Sequence, residues 1–139
     1  MAEAALVDAS VIISLANLEL TDKLFHAFAP VYVSQAVVRE TKLRGRQRRR
    51  RDVVRFAKRM TPCKEWDQNV FQALLVAFAL SRPGRPGKKH RGEAESIAQA
   101  VRLQIPVFLT DDSDAADEAE KLGIRVVSTM ELLRLVAAG

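Results

Sequence analysis

The sequence predicts an α/β fold of three layers, with a short and mainly parallel sheet between two layers of helices. Three observations predict it. Four brief apolar runs have strand length, and the stretches between them carry apolar residues at helical spacing. Those stretches are long enough for the crossover helices that parallel strands require. Of the 139 residues, 48% are hydrophobic and 28% charged. Such a chain can bury a core of its own, so one globular domain over residues 1–139 is expected.

Ala4-Ala5-Leu6-Val7 is the first strand and ends at Asp8. Residues 9–20 follow as a helix with Val11, Ile12, Leu15 and Leu18 on one side. Thr21 caps a short helix over 22–28, which Pro30 ends because it has no N–H to donate. Val31-Tyr32-Val33 is the second strand, and Ser34 is the N-cap of a helix to about residue 43. Residues 52–60 have helical spacing through Val53, Phe56, Ala57 and Met60, and Thr61-Pro62 reads as a break. Residues 67–80 form a strongly apolar helix. Its Phe71, Leu74, Leu75 and Phe78 stripe suits the core, while Val70, Ala77 and Leu80 face a second surface. Pro83-Gly84 and Pro86-Gly87 mark 81–92 as an exposed loop. Residues 93–103 are a helix, and 106–110 a strand that runs into Asp111-Asp112. Residues 113–122 are a helix stopped by Gly123, and 124–127 the last strand. Ser128, with Glu131 three residues on, is a capping box for the final helix.

Charge is unevenly distributed. The net charge is +5, yet residues 42–91 hold 16 Lys and Arg against 3 Asp and Glu, and the remainder 6 against 14. An acidic α/β body thus carries a basic helical and loop insert at about 44–91. Such a pairing suits a polyanion gripped by its phosphates. Arg46, Arg48, Arg49, Arg50, Arg51, Lys88, Lys89 and Arg91 are the candidate contacts to such a phosphate backbone. The lone Cys63 excludes an internal disulfide and fits a reducing cytoplasm. No secretory signal is visible, and the apolar stretch 70–80 is short of the ~20 residues that span a bilayer. No membrane role is expected.

Four acids fall where a strand meets a turn or on the inward side of a helix. Asp8 follows the first strand and Asp112 the third; in a parallel sheet both reach the carboxyl edge, where sites form. Glu40 continues the apolar side set by Ala36 and Val37. Glu93 precedes Ile97 and Ala100 at inward spacings, whereas Glu95 shares a face with Gln99 and Arg102 and reads as solvated. Asp112 precedes Ala115 and Ala119; Asp111 is a weaker candidate. Acids in a first helical turn serve the helix dipole, which alone accounts for Glu93, Asp111 and Asp112 singly but not for Glu40. Buried carboxylates are costly unless paired, and several together call for a cation.

These residues carry a family resemblance. Asp8-Ala9-Ser10, Ser34-Gln35-Ala36-Val37-Val38-Arg39-Glu40, Gly92-Glu93-Ala94-Glu95-Ser96-Ile97-Ala98 and Thr110-Asp111-Asp112 resemble, in order, the four motifs of the PIN-domain ribonucleases, and Gly123-Ile124-Arg125-Val126 the segment after them. Residues 44–90 match poorly. The resemblance implies a PIN-like, Rossmann-like fold and Mg²⁺- or Mn²⁺-dependent hydrolysis of RNA phosphodiesters. It also implies frequent homodimerisation and, for VapC-type toxins, an antitoxin partner. Carried over by position, the catalytic quartet is Asp8, Glu40, Glu93 and Asp112. Asp8, Glu93 and Asp112 would hold metal with Asp111 as a further ligand, and Ser10 and Thr110 supply hydroxyls beside them.

Two other functions compete. A non-catalytic RNA-binding module would use the basic insert and leave the acids as caps. A phosphoacceptor receiver would also gather acids after strands, but no lysine follows the last strand here.

Overall fold

The computed structural model of the chain describes residues 2–44, 55, 56, 58–81 and 87–138. Among them run β1 (Glu3–Val7), α1 (Ala9–Asn17), α2 (Thr21–Ala27), β2 (Phe28–Ser34), α3 (Gln35–Arg44), β3 (Thr61–Cys63), α4 (Gln68–Ser81), α5 (Gly87–Leu103), β4 (Val107–Leu109), α6 (Ser113–Lys121), β5 (Arg125–Val127) and α7 (Thr129–Ala138). The strands form one sheet in the order β3-β2-β1-β4-β5, with every pair parallel. The order reverses direction between β1 and β4, so the carboxyl ends of those two strands flank the crevice where such sheets bind ligands.

The alternation of each strand fills both faces. Ala5, Val7, Val107 and Leu109 pack beneath α1, α2, α3 and α7 with Val11, Ile12, Leu15, Leu24 and Leu132. Leu6 and Phe108 point the other way, onto Phe71, Leu74, Phe78, Ile97, Ala115 and Ala119 of α4, α5 and α6. Both cores are apolar, which fits a parallel sheet covered on both sides.

Three expectations change. Thr61-Pro62 is no break: Thr61–Cys63 is a fifth strand that pairs with Tyr32, Val33 and Ser34. Pro62 is tolerated because β3 is an edge strand and needs no N–H toward an outer neighbour. Residues 87–92 are the first turns of α5 rather than loop. The helix extends there because His90 and Gly92 are buried, and tertiary cover outweighs the glycine's weak propensity. Pro30 does not close a helix but lies within β2, where Glu3 pairs with Phe28 and Ala5 with Val31. The additional β2 residue makes a bulge that absorbs the missing donor. No helix among the described residues is long and apolar enough to cross a membrane.

Candidate active site

Asp8 leaves β1 and caps α1, with Oδ1 accepting from Ala9 N at 2.8 Å. Its Oδ2 accepts from Thr110 Oγ1 at 2.8 Å and from Ser10 Oγ at 3.3 Å. Both hydroxyls also accept from the turn after β4: Thr110 Oγ1 from Asp112 N within that turn at 3.1 Å, and Ser10 Oγ from Asp111 N across to it at 3.2 Å. Two short chains of hydrogen bonds therefore lock the β1–α1 turn to the β4–α6 turn, with Asp8 at their junction. The backbone adds Asp8 N to Leu109 O at 2.8 Å.

Asp8 is only 5% exposed, and burial pushes its carboxyl up to about 6. Hydrogen bonds from Thr110 and Ala9 oppose that rise, whereas the charges of Glu40 and Asp112 reinforce it. The charges of Glu40 on α3 and of Asp112 at the start of α6 thus act on the same group. Asp112 caps α6, with Oδ1 accepting from Asp114 N and Ala115 N at 2.9 and 3.1 Å. Ala115 and Ala119 below it are fully buried.

Glu93 is buried on α5 at 5% exposure. Glu95, expected in solvent, is equally buried at 4%, and its Oε1 accepts from Ala36 N at 3.4 Å, in the first turn of α3. The expectation failed because it treated α5 as covered on one side. Gly92, Ala94, Ser96, Ala98 and Ala100 ring the helix with small residues, the signal that would have shown it enclosed. An alanine Cβ at Gly92 would stand 3.9 Å from Ala36 Cβ, and Ser96 Oγ donates to Ser34 Oγ at 3.2 Å. Asp111 turns elsewhere: Oδ1 accepts from Thr129 N at 2.8 Å and Oδ2 from Thr129 Oγ1 at 2.7 Å. Its carboxylate holds the start of α7 to the β4 edge.

The basic candidates divide. Arg46, Arg48, Arg49, Arg50 and Arg51 lie outside the described residues, as do the side chains of Lys88 and Lys89. Arg91 is exposed, with its guanidinium 5.7 Å from the Phe71 ring centre. His90, read from sequence as part of a cationic loop, is instead buried and stacked on Phe78 at 5.4 Å, which removes it from the surface where a phosphate would lie. Cys63 is a buried thiol pushed up to about 11 by desolvation, and so inert.

The family model DUF3368, described as a PIN domain, matches residues 4–138. Among solved structures, PAE2754 from Pyrobaculum aerophilum is similar at a TM-score of 0.64 and 19% identity, covering 100% of both chains. A PilT N-terminus domain protein, SSO1118 from Sulfolobus solfataricus P2, is similar at 0.60 and 16%, covering 98% of this chain and 95% of that one. FitAcB from Neisseria gonorrhoeae is similar at 0.56 and 16%, covering 91% of this chain and 98% of that one. At these identities the likeness is one of fold. No curated protein matches significantly.

Proposed function

The chain belongs to the PIN-domain family, and from that membership we propose that it is a divalent-metal-dependent endoribonuclease. PIN domains are generally nucleases and generally use divalent metals. The observation that carries the proposal for this chain is Asp8. It is a buried carboxylate pushed up to about 6, placed at the switch point of the sheet, with two further acids acting on it. A fold that needed only a helix cap there would be served by a serine or asparagine, with no charge to desolvate.

The donor set suits a hard cation. Among the described residues no group of three or more His, Cys, Asp or Glu side chains is placed to hold a metal ion by itself. Mg²⁺ asks for none, since it keeps waters and takes one or two carboxylates together with substrate phosphate. Asp8 and Asp112 would hold it directly and Glu93 would complete the shell, and a bound ion would lower the pKa of a coordinated water and neutralise charge on the phosphoryl oxygens. Asp111, with both oxygens committed to Thr129, serves as a positioning residue in this reading. Ser10 and Thr110 fix the Asp8 carboxylate so that its oxygens need not reorganise during reaction. Glu40 orients the attacking water. The cations of the insert and Arg91 would grip the phosphate backbone of the substrate.

We extend the proposal to partners. The motif order is VapC-like, which supports a toxin role restrained by an antitoxin. The outer face of α4, with Val76 at 59% and Leu80 at 78% exposure, supports pairing with a second copy of the chain.

Cleavage of fluorescent RNA in Mg²⁺, Mn²⁺ or EDTA tests the central claim. Cutting is expected with either ion and not with EDTA, and Asp8→Asn should lower the rate about a hundredfold or more. A folded Asp8→Asn protein that cuts at the wild-type rate sinks the proposal. EDTA-resistant RNA binding without any cleavage points instead to the non-catalytic module.

A further inference from the structure

Trp66 lies three residues beyond β3, where the chain turns along the second half of α5 and Asp67 N donates to Ala98 O. Cys63, the last residue of β3, pairs with Ser34. The β1–β2 register of Leu6 with Tyr32, continued by two steps, sets Asp8 level with Ser34. Asp8, Ser34 and Cys63 therefore form one row across three neighbouring strands. At the spacing of adjacent strands the ends of that row are about 10 Å apart.

Past the end of the row is an open hollow of about 520 Å³ formed by residues 64–69 and Arg102. Its charges balance. Lys64 and Arg102 face Glu65 and Asp67, with Arg102 Nη2 3.7 Å from Glu65 Oε2. Asp67 is occupied at the start of α4, its Oδ1 accepting from Val70 N at 3.0 Å. A phosphate would gain little in such a hollow, whereas a neutral planar ring would lose nothing. The indole is also held in place. It is half-buried and tilted against the Phe71 ring at 5.5 Å, and its Nε1–H donates to Gln68 Oε1 at 2.9 Å. With that donor committed, what Trp66 offers the hollow is aromatic surface, beside the side-chain amides of Gln68 and Asn69.

We propose that Trp66 is the stacking platform of a nucleobase subsite, which takes a base of single-stranded RNA a few nucleotides from the phosphodiester held at Asp8. The inference rests on the ribonuclease reading for the position of the scissile bond. Base stacking on an aromatic side chain is tolerant of sequence, and the amides of Gln68 and Asn69 supply edge contacts that favour some bases over others.

Trp66 is the only tryptophan of the chain, so its fluorescence reports the subsite directly. Full-length Asp8→Asn protein in Mg²⁺ is titrated with an end-labelled single-stranded RNA, and tryptophan emission is followed beside the label's anisotropy. The expected result is quenching that saturates together with the anisotropy. In the cleaving protein, Trp66→Leu should raise KM roughly fivefold to a hundredfold, more than it lowers kcat, and Trp66→Phe should recover most of the loss. Bound RNA that leaves the emission unchanged overturns the subsite, as does a failure to bind RNA at all. A wild-type KM in Trp66→Leu overturns it as well. Should Trp66→Leu fail to fold, the emission of the Asp8→Asn protein decides alone. Quenching by RNA that the wild type never cuts would remove the ribonuclease reading and leave the subsite standing.

Discussion

A carboxylate buried as deeply as Asp8 works against the fold unless something answers its charge. With its pKa at about 6 in the folded chain against 3.8 for the ordinary group, the folded state binds more protons between those values. Stability therefore falls as pH rises from about 4 to 6, and the cost is complete above that range. The expected gain on acidifying metal-free protein from pH 7 to 4 is at most about 3 kcal/mol. Denaturant titrations across that range should show part of this gain in the wild type and not in Asp8→Asn. Mg²⁺ added at pH 7 should stabilise the wild type more than the variant. Thr110→Val tests the support of the same group. It removes the O–H that donates to Asp8 Oδ2 and the oxygen that accepts from Asp112 N, at a cost of about 1–3 kcal/mol. Because the Thr110 bond holds the Asp8 pKa down, its loss should also move the acid limb of the cleavage profile to higher pH. Position in the chain singled out Asp8, Glu40, Glu93 and Asp112 as candidates, and of these Asp8 and Glu93 are buried. It could not show that Asp111 would be engaged by Thr129, eighteen residues on, because that contact exists only once β4 and β5 pair.

At the scale of single elements, α4 shows how much periodicity can say. The stripe of Phe71, Leu74 and Phe78 is buried, as its spacing predicts, while Leu80 remains open. Leu80→Glu should leave folding intact, since it changes an exposed side chain, and should shift the protein toward monomer in light scattering coupled to gel filtration. An unchanged mass would remove α4 as the contact between copies. Elements that carry little signal of their own were harder to read. Thr61–Cys63 is three residues long with a proline at its centre, and it becomes a strand only because β2 offers an open edge. The start of α5 is set by the burial of His90 against Phe78, a contact between two helices. Gln99, further along α5, joins that helix to β3, its Nε2 donating to Cys63 O at 3.2 Å.

For the whole molecule, the parallel order of the sheet sets the turns after β1 and β4 side by side, so that Asp8 meets Thr110, and the uneven charge underlies the proposed grip on RNA. The basic insert should make RNA binding steeply dependent on salt. Between 50 and 200 mM salt, a set of about six or more phosphate contacts would weaken affinity by roughly a thousandfold or more. Filter binding of Asp8→Asn protein over that range checks it, and a flat response would show that the insert does not grip the backbone. By itself the sequence determined the alternation of strands and helices, the inward faces and the candidate acids. Those follow from local spacing and side-chain chemistry, which every segment carries wherever it lies. Only the tertiary structure decided the strand order, the burial of Glu95, the engagement of Asp111 and the row that joins Asp8 to Cys63. Each of those depends on which surfaces meet, and pairing between distant segments is written in no single one of them.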